Sequence, residues 1–387
     1  SGRWVERLAA VLSRQVAERC GARVEWVARR ATATAGPGAA AADVATNIDV
    51  ALDIEAGIGT EGYRIEDRAG GVRVVGNDQR GLYYGVGKLL RTARYDEGRV
   101  APGAWRGTSV PARQMRTIYF ATHFHNFYHD APLEEVCRYV EDIMLWGYNG
   151  LLVWFDMHHF NGIDDPKAQA MLGRLRAFFT TAKSVGMDTG LTLIANEGYA
   201  DSPVEMRATG PGRGGFYGME ICPNAPGART LLLTQLEHEF AQFAGVGVNH
   251  VWIWPYDQGS CSCEKCRPWG SNGFMGIARP ISDLARSSFP GCKVYLSAWY
   301  MDDDEWAGLA AHLATDHDWA DGIILQPDHF GAKRNAPSPL PILGFPEISM
   351  AGMYPWGGFG ANPQPDAFAR YWNTFRGSEA AIAGGWP

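Results

Sequence analysis

From residue 115 onward the sequence alternates short apolar segments with amphipathic helical segments, and this alternation limits the fold more than any other feature. The apolar segments have strand length, and the segments between them carry apolar residues at helical spacing. The clearest helices are predicted at residues 133–146, 166–185, 228–245 and 277–288. Eight strands are predicted, at residues 116–121, 150–155, 189–195, 250–254, 293–298, 322–326, 341–347 and 380–386. This rhythm is typical of an α/β protein with a (β/α)8 TIM barrel.

A doubly wound sheet would also alternate strands and helices. Such sheets usually carry a glycine-rich phosphate turn after a strand, and no strand predicted here is followed by one. We therefore prefer the barrel. The sequence ends at Pro387, directly after the eighth predicted strand, without a closing helix. We expect either a homo-oligomer or a further C-terminal segment to complete the barrel.

The first part of the chain has a different pattern. Residues 4–19 have helical spacing, and β-branched stretches follow at residues 23–28, 47–54, 62–66 and 72–75. Gly70-Gly71 indicates a hairpin, and a helix is predicted at residues 78–94 before a Gly- and Pro-containing link at residues 98–111. We predict a small α+β sandwich domain over residues 1–108 and a catalytic barrel over residues 109–387.

Composition narrows the class of partner. The 387 residues carry a net charge of −7 and no basic block, which argues against nucleic acid. No apolar run approaches the ~20 residues that span a bilayer, so no membrane partner is expected. The chain does not open with a signal-peptide pattern, and the compartment stays open between cytoplasmic and periplasmic or secreted. The 14 Trp, 15 Tyr and 17 Phe suit either a heavy aromatic core or the flat faces of a carbohydrate substrate.

Acidic side chains follow several predicted strands at the barrel end where active sites form. Sugar hydrolysis needs two carboxyl groups that flank the scissile bond, so this pattern favours a glycoside hydrolase. Retention of configuration is expected if the two carboxyl groups are about 5–5.5 Å apart, and inversion if they are about 6.5–9.5 Å apart. Asp257 is the first choice for the general acid/base, because Trp254 and Tyr256 beside it would raise its pKa. Glu347 is predicted as the second carboxylate, with Glu197 and Asp328 in reserve.

The same rim carries aromatic and polar side chains that could hold a sugar ring. The predicted substrate-binding residues are His125, Asp156, His158, Trp254, Tyr256, Trp299, Tyr300 and Trp356. A barrel with this rim could also bind glycans without cleaving them. A third possibility is a metal-dependent, amidohydrolase-like enzyme that uses His123 and His125. That chemistry also requires a lysine after strand four, where this chain has Asp257.

Four of the seven cysteines are predicted to hold a structural Zn²⁺. Cys261, Cys263 and Cys266 form a C-x-C-x-x-C pattern after strand four, and Cys222 lies in the loop after strand three. Thiolates at such short spacing suit a closed tetrahedral zinc site, although disulfides or inert thiols remain alternatives. No organic cofactor is expected.

The first domain resembles the domain that precedes the barrel in family 20 β-hexosaminidases and family 67 α-glucuronidases. The resemblance rests on Glu61-Gly62-Tyr63, on Val72 to Asp78 with Gly76, and on Arg80 to Gly85 with Tyr84. It implies a hexosaminidase-like or α-glucuronidase-like activity on an oligo- or polysaccharide.

The second half is similar to family 163-like glycoside hydrolases, through the Cys222-to-Pro226 loop and an Asp shortly before C-x-C-x-x-C, here Asp257. Family 20 has an Asp-Glu pair after strand four, whereas this chain has Asp257-Gln258. Substrate-assisted chemistry with that pair therefore does not carry over.

Overall fold

The structure is a computed structural model that describes residues 3–27, 48–122, 127–210, 217–257, 259–325, 338–345, 366, 369–370, 373 and 382–385. The chain divides into two compact units. The first contains residues 1–112, 141–147 and 184–186, and the second contains residues 113–140, 148–183 and 187–387.

The first unit is a mixed sheet with helices. Its elements are α1 (Arg3–Cys20), β1 (Asp49–Ile54), β2 (Tyr63–Arg68), β3 (Gly71–Gly76), α2 (Gln79–Thr92), β4 (Arg94–Asp96), β5 (Arg99–Ala101) and β6 (Gly107–Ser109). Four strands form a sheet in the order β1-β3-β2-β6, in which β1 pairs with β3 in parallel and the other pairs are antiparallel. β4 and β5 form a separate two-stranded ribbon.

This architecture confirms the predicted α+β domain, but two details of the prediction were wrong. Residues 21–27 have no regular structure, although the β-branched stretch at residues 23–28 favoured a strand there. The predicted link at residues 98–111 contains β5 and β6, and β6 extends the sheet. These three-residue strands are too short to show an alternating pattern in the sequence.

The motif around Asp78 packs α2 onto the sheet. The Asp78 side chain accepts the backbone N–H of Gly81 and so caps the helix. A Cβ atom at Gly81 would lie 2.1 Å from the backbone oxygen of Gly62, and one at Gly85 would lie 2.5 Å from a side-chain atom of Val74. The glycines are needed for close contact between helix and sheet.

The second unit is the barrel. Its strands and helices, in chain order, are β7 (Met115–Phe120), α3 (Phe127–Asp130), α4 (Leu133–Leu145), β8 (Gly150–Trp154), α5 (Pro166–Ser184), β9 (Asp188–Ile194), α6 (Ala228–Phe243), β10 (His250–Trp254), α7 (Phe274–Ser288), β11 (Lys293–Ser297), α8 (Asp303–Thr315), β12 (Gly322–Leu325), β13 (Ile342–Gly344) and β14 (Ile382–Gly385).

The eight strands β7 to β14 form a closed parallel barrel in chain order, which confirms the predicted (β/α)8 TIM barrel. The pairing of β14 with β7 closes the sheet. The further C-terminal segment stays a prediction. Every residue of β8, β10, β12 and β13 is buried, as expected for strands covered on both faces. The predicted homo-oligomer stays a prediction.

Tryptophans of β10 help to fill the barrel. Trp252 and Trp254 lie two residues apart and stack with ring centroids 4.6 Å apart. Because side chains alternate along a strand, both indoles are on the same face of β10. The rings of Phe345 and Trp252 pack in a T-shaped arrangement with their centroids 4.9 Å apart.

Within the ranges that the structure describes, no helix combines the length and apolar character that a membrane span requires.

Candidate active site

Four neighbouring strands end side by side and bring the predicted site residues to one rim. In the parallel register, Trp154 of β8 pairs with Thr192 of β9, and Trp254 of β10 pairs with Ile194. The chain leaves each strand just beyond these positions. Four of the candidate residues follow at once, namely Asp156 after β8, Glu197 after β9, Asp257 after β10 and Trp299 after β11. They therefore share the C-terminal mouth of the barrel, where barrel enzymes have their active sites.

Glu197 is held by three hydrogen bonds, one from the last residue of β8 and two from His158 in the segment that follows β8. The indole N–H of Trp154 donates to Oε2 at 2.9 Å, and the backbone N–H of His158 reaches Oε1 at 3.4 Å. His158 Nδ1 lies 2.6 Å from the same Oε1. Since a carboxylate can only accept, Nδ1 of His158 is the donor, and whenever the ring carries a single proton Nε2 is an acceptor. All three side chains are buried.

Asp156 and His159 form a second carboxyl–imidazole pair. Nδ1 of His159 lies 2.5 Å from Oδ2 of Asp156. Burial raises the pKa of Asp156, although the hydrogen bond from His159 acts in the opposite direction. The same hydrogen bond raises the pKa of His159, whose ring is half-exposed. The other oxygen of Asp156 is buried without a hydrogen-bond partner among the described residues, so it can accept from a bound hydroxyl.

Asp257 is a buried carboxyl group whose pKa is raised. Burial raises its pKa to about 6, although the indole N–H of Trp299 donates to Oδ1 at 3.1 Å and so favours the charged form. The backbone of Asp257 has φ of 69°, a left-handed conformation that costs free energy for a residue with a Cβ. Strain of this kind is found where a side chain is held in a required position.

Aromatic rings connect the Glu197 cluster with Asp257. Trp154, which donates to Glu197, stacks with Trp254 at 6.5 Å. Trp254 contacts Trp299, the donor to Asp257, in an edge-to-face arrangement with ring centroids 5.1 Å apart.

The predicted substrate-binding rings differ in exposure. Trp254 and Trp299 are buried, whereas Tyr300 is 43% exposed and has φ of 55°. The hydroxyl of Tyr256 is buried and donates to Glu305 at the start of α8. Tyr300 therefore offers an accessible flat face on this rim.

The loop after β9 covers His158. The ring of Tyr217 lies 4.7 Å from the His158 ring. Glu220 accepts the backbone N–H groups of Tyr217 and Gly218 at 2.6 and 2.8 Å, which fixes this turn. Arg207 donates to the backbone oxygens of Ala200, Ser202 and Gly218 and ties the loop together.

Five of the predicted site residues lie outside the described residues, namely His123, His125, Asp328, Glu347 and Trp356. The structure brings Asp156, His158 and Glu197 together, with Asp257 and Trp299 on the same rim. The four cysteines predicted to bind zinc also lie together, with their sulfur atoms within 4.8 Å of one another.

Three residues that contact the predicted site residues were not predicted from the sequence. Trp154 reads as a core residue of a strand, yet its N–H donates to Glu197. His159 and Tyr217 belong to loops whose conformation no spacing rule predicts. The one usable signal was Asp156-x-x-His159, because a short helical turn at Met157–His159 brings residues three apart together.

Comparison with known proteins supports the resemblance of the first unit. Residues 6–112 match the family described as "Glycosyl hydrolase family 20, domain 2". This match confirms the family 20-like N-terminal domain; the resemblances to families 67 and 163 stay predictions. No curated protein matches the sequence significantly.

Solved structures share the fold over most of the chain. A β-N-acetylhexosaminidase from Bacteroides fragilis is 12% identical with a TM-score of 0.57, covering 87% of this chain and 68% of its own. A chitobiase from Flavobacterium johnsoniae is 12% identical with a TM-score of 0.59, covering 100% of this chain and 60% of its own. A family 89 glycoside hydrolase from Clostridium perfringens is 14% identical with a TM-score of 0.57, covering 87% and 43%. At these identities the likeness is one of fold.

Proposed function

We propose that this protein is a glycoside hydrolase that cleaves O-glycosyl bonds in glycans containing N-acetylhexosamine, with Asp257 as its general acid. The observation that carries the proposal is the Asp257 carboxyl, whose pKa is raised to about 6 at the C-terminal end of a barrel strand. The family 20 domain before the barrel and the fold of the Bacteroides hexosaminidase support the reaction class.

Asp257 would protonate the leaving oxygen. A carboxyl group with a pKa of about 6 keeps a proton available at mildly acidic pH and can take one back in a second step. Trp299 would keep Oδ1 oriented, which leaves Oδ2 to face the glycosidic oxygen. The orientation matters because proton transfer requires hydrogen-bond distance in the reacting complex.

The second carboxylate is proposed to be Glu347, as predicted from the sequence. Glu197 is less suited to attack carbon, because one indole N–H, one imidazole N–H and one backbone N–H already bind its oxygens. Its role would be to hold His158 so that Nε2 accepts a hydrogen bond from a sugar hydroxyl. Tyr300, which is 43% exposed, could stack on the ring.

The test is a set of kinetic comparisons on aryl N-acetyl-β-hexosaminides and on natural oligosaccharides. Asp257→Asn should lower kcat/KM on oligosaccharides by about 10²–10⁴-fold, the usual share of acid catalysis. The loss should be much smaller on a dinitrophenyl glycoside, since that leaving group needs no protonation. An equal loss on both substrates would show that Asp257 does not act as the acid.

Asp321→Asn is the matched control. Asp321 is likewise an aspartate that accepts a hydrogen bond, here from the backbone N–H of Val294, but it lies near the start of β11 and β12, away from the C-terminal mouth. This variant should lose stability and keep the kcat/KM ratio between the two substrates. If wild-type protein bound the oligosaccharides tightly and released no sugar from any of them, a glycan-binding role would replace the hydrolase.

A further inference from the structure

Four cysteines in the loops after β9 and β10 bring their sulfur atoms close together. The Sγ atom of Cys222 lies 3.8 Å from that of Cys263 and 3.8 Å from that of Cys266. The four ligand atoms, including Cys261, all lie within 4.8 Å of one another. Cys222, Cys261 and Cys266 are buried, and Cys263 is partly exposed.

These distances match a mononuclear tetrahedral metal site. Zn–S bonds of about 2.3 Å in a regular tetrahedron put neighbouring sulfurs about 3.8 Å apart. A disulfide would require about 2.05 Å between two of the sulfurs, and all four cysteines are free. An iron–sulfur cluster spreads its cysteine ligands over separate iron atoms, which separates some of the sulfurs by more than this group allows.

We propose that Cys222, Cys261, Cys263 and Cys266 bind one structural Zn²⁺ in a closed site. N–H groups donate to the sulfurs, as is usual for metal-bound thiolates. The backbone N–H of Thr209 points to Cys261 Sγ at 3.5 Å, and the amide of Asn224 donates to Cys266 Sγ at 3.2 Å. Four protein ligands complete a tetrahedron and leave no open position for chemistry.

The zinc would join two loops of the active-site rim. Cys222 comes from the loop after β9, and the other three ligands come from the loop after β10. Between them lies buried Asn196, whose amide donates to the backbone oxygens of Ile221 at 2.9 Å and Ser260 at 3.1 Å. Its Oδ1 accepts the N–H of Ser260 at 2.9 Å. Each of these partners is the residue directly before a cysteine ligand.

This arrangement lets the metal support Asp257 without touching substrate. Ser260, next to Cys261, has φ of 109°, and Asp257 itself has φ of 69°. Two non-glycine residues with positive φ so close together would return to an unstrained backbone conformation unless the surrounding chain holds them. The metal crosslink would hold the end of this strained segment against the β9 loop.

The metal content of wild-type protein tests the site directly. Protein purified without chelators should contain about one equivalent of zinc by elemental analysis, because the closed site binds tightly. X-ray absorption at the zinc edge should show four sulfur ligands at about 2.3 Å. Less than about one-tenth equivalent of zinc, iron in its place, or a disulfide among these cysteines by mass spectrometry would overturn the proposal.

Two variants separate the site from general effects of cysteine loss. Cys263→Ser changes the partly exposed ligand and should lower the zinc content at least about fivefold. Cys137→Ala changes a cysteine of α4 outside the group and should keep a full equivalent. Full zinc retention in Cys263→Ser, or equal loss in both variants, would contradict the assignment.

Hydrogen exchange shows whether the metal holds the rim. Wild-type protein treated with a chelator should exchange the amides of Ile221 and Ser260 at least about tenfold faster, while amides of β12 stay protected. Unchanged exchange at these two amides after zinc removal would refute the proposed support of the rim. None of these measurements uses hydrolytic activity, so their outcome is independent of the proposed function.

Discussion

Nδ1 of His158 lies 2.6 Å from Oε1 of Glu197, and this contact joins the loops after two neighbouring barrel strands. Nε2 of the same ring is buried without a hydrogen-bond partner among the described residues. The carboxylate therefore fixes which nitrogen carries the proton and leaves the other as an acceptor. A hydroxyl group of a bound sugar is a suitable donor for that acceptor.

The first prediction concerns this pair. Glu197→Gln should lower kcat/KM by roughly 10–100-fold, because the amide can present its NH₂ group to His158 and no longer selects the Nδ1–H tautomer. Ring ¹⁵N chemical shifts of His158 should show a mixture of tautomers. Glu205→Gln, which changes an exposed acid of the same loop, should alter neither measurement. A single unchanged tautomer in Glu197→Gln would contradict the assigned role.

The second prediction is a pH profile. If Asp257 is the acid, it must be protonated in the free enzyme, so kcat/KM should fall about tenfold per pH unit above about pH 6. Trp299→Phe removes a hydrogen bond that favours the charged carboxylate. The pKa of Asp257 should rise in this variant, and the alkaline limb should move to higher pH.

Trp306→Phe is the control for that shift. Trp306 is a buried indole of α8 whose replacement leaves the hydrogen bond to Asp257 intact. Its alkaline limb should coincide with that of the wild type. A limb that moves equally in both variants, or that moves to lower pH in Trp299→Phe, would show that another group controls the profile.

The barrel could be predicted from sequence because most of its strands contain an apolar run of strand length that is followed by a polar loop. The buried strands leave a signal that survives without any knowledge of their neighbours. The short strands β4, β5 and β6 leave none, since their residues are mostly polar or exposed. Helix α8 had a usable signal, because Asp302 and Glu305 form a capping box at its start.

The candidate site shows the same division between local and long-range information. Three of the four clustered cysteines are close in sequence, so their spacing alone predicted a group. The contact between His158 and Glu197 spans 39 positions and depends on how two loops leave the barrel. Hydrogen bonds of this kind follow from loop conformation, which the composition of the loops does not determine.

The third prediction concerns Glu239 of α6. Burial, followed by the charge of Glu197, raises its pKa well above the ordinary value of 4.5, and neither oxygen has a hydrogen-bond partner among the described residues. The folded protein thus keeps a proton that the unfolded chain loses, and stability should fall as pH rises above about 4.5. Glu239→Gln should remove this pH-dependent loss of stability and therefore raise Tm more at pH 8 than at pH 5.

The size of that effect is measurable by calorimetry, since 1 kcal/mol corresponds to roughly 2–4 °C for a domain of 150–250 residues. Glu237→Gln is the matched control, because Glu237 lies on the same helix and is exposed. A Tm gain of Glu239→Gln that is the same at both pH values would show that the carboxyl is ionised in the fold.

The fourth prediction concerns Asn196, which precedes Glu197. Asn196→Ala removes three side-chain hydrogen bonds and leaves buried backbone groups of Ile221 and Ser260 without partners. The free energy of unfolding should fall by roughly 2–5 kcal/mol, since each buried group left unpaired costs about 1–3 kcal/mol. Asn196→Asp keeps an acceptor for the Ser260 N–H but loses the N–H donors to Ile221 and Ser260. It should therefore lower the free energy of unfolding less than Asn196→Ala does. Urea denaturation that shows a loss below about 1 kcal/mol in Asn196→Ala would mean that the two loops are held together by other contacts.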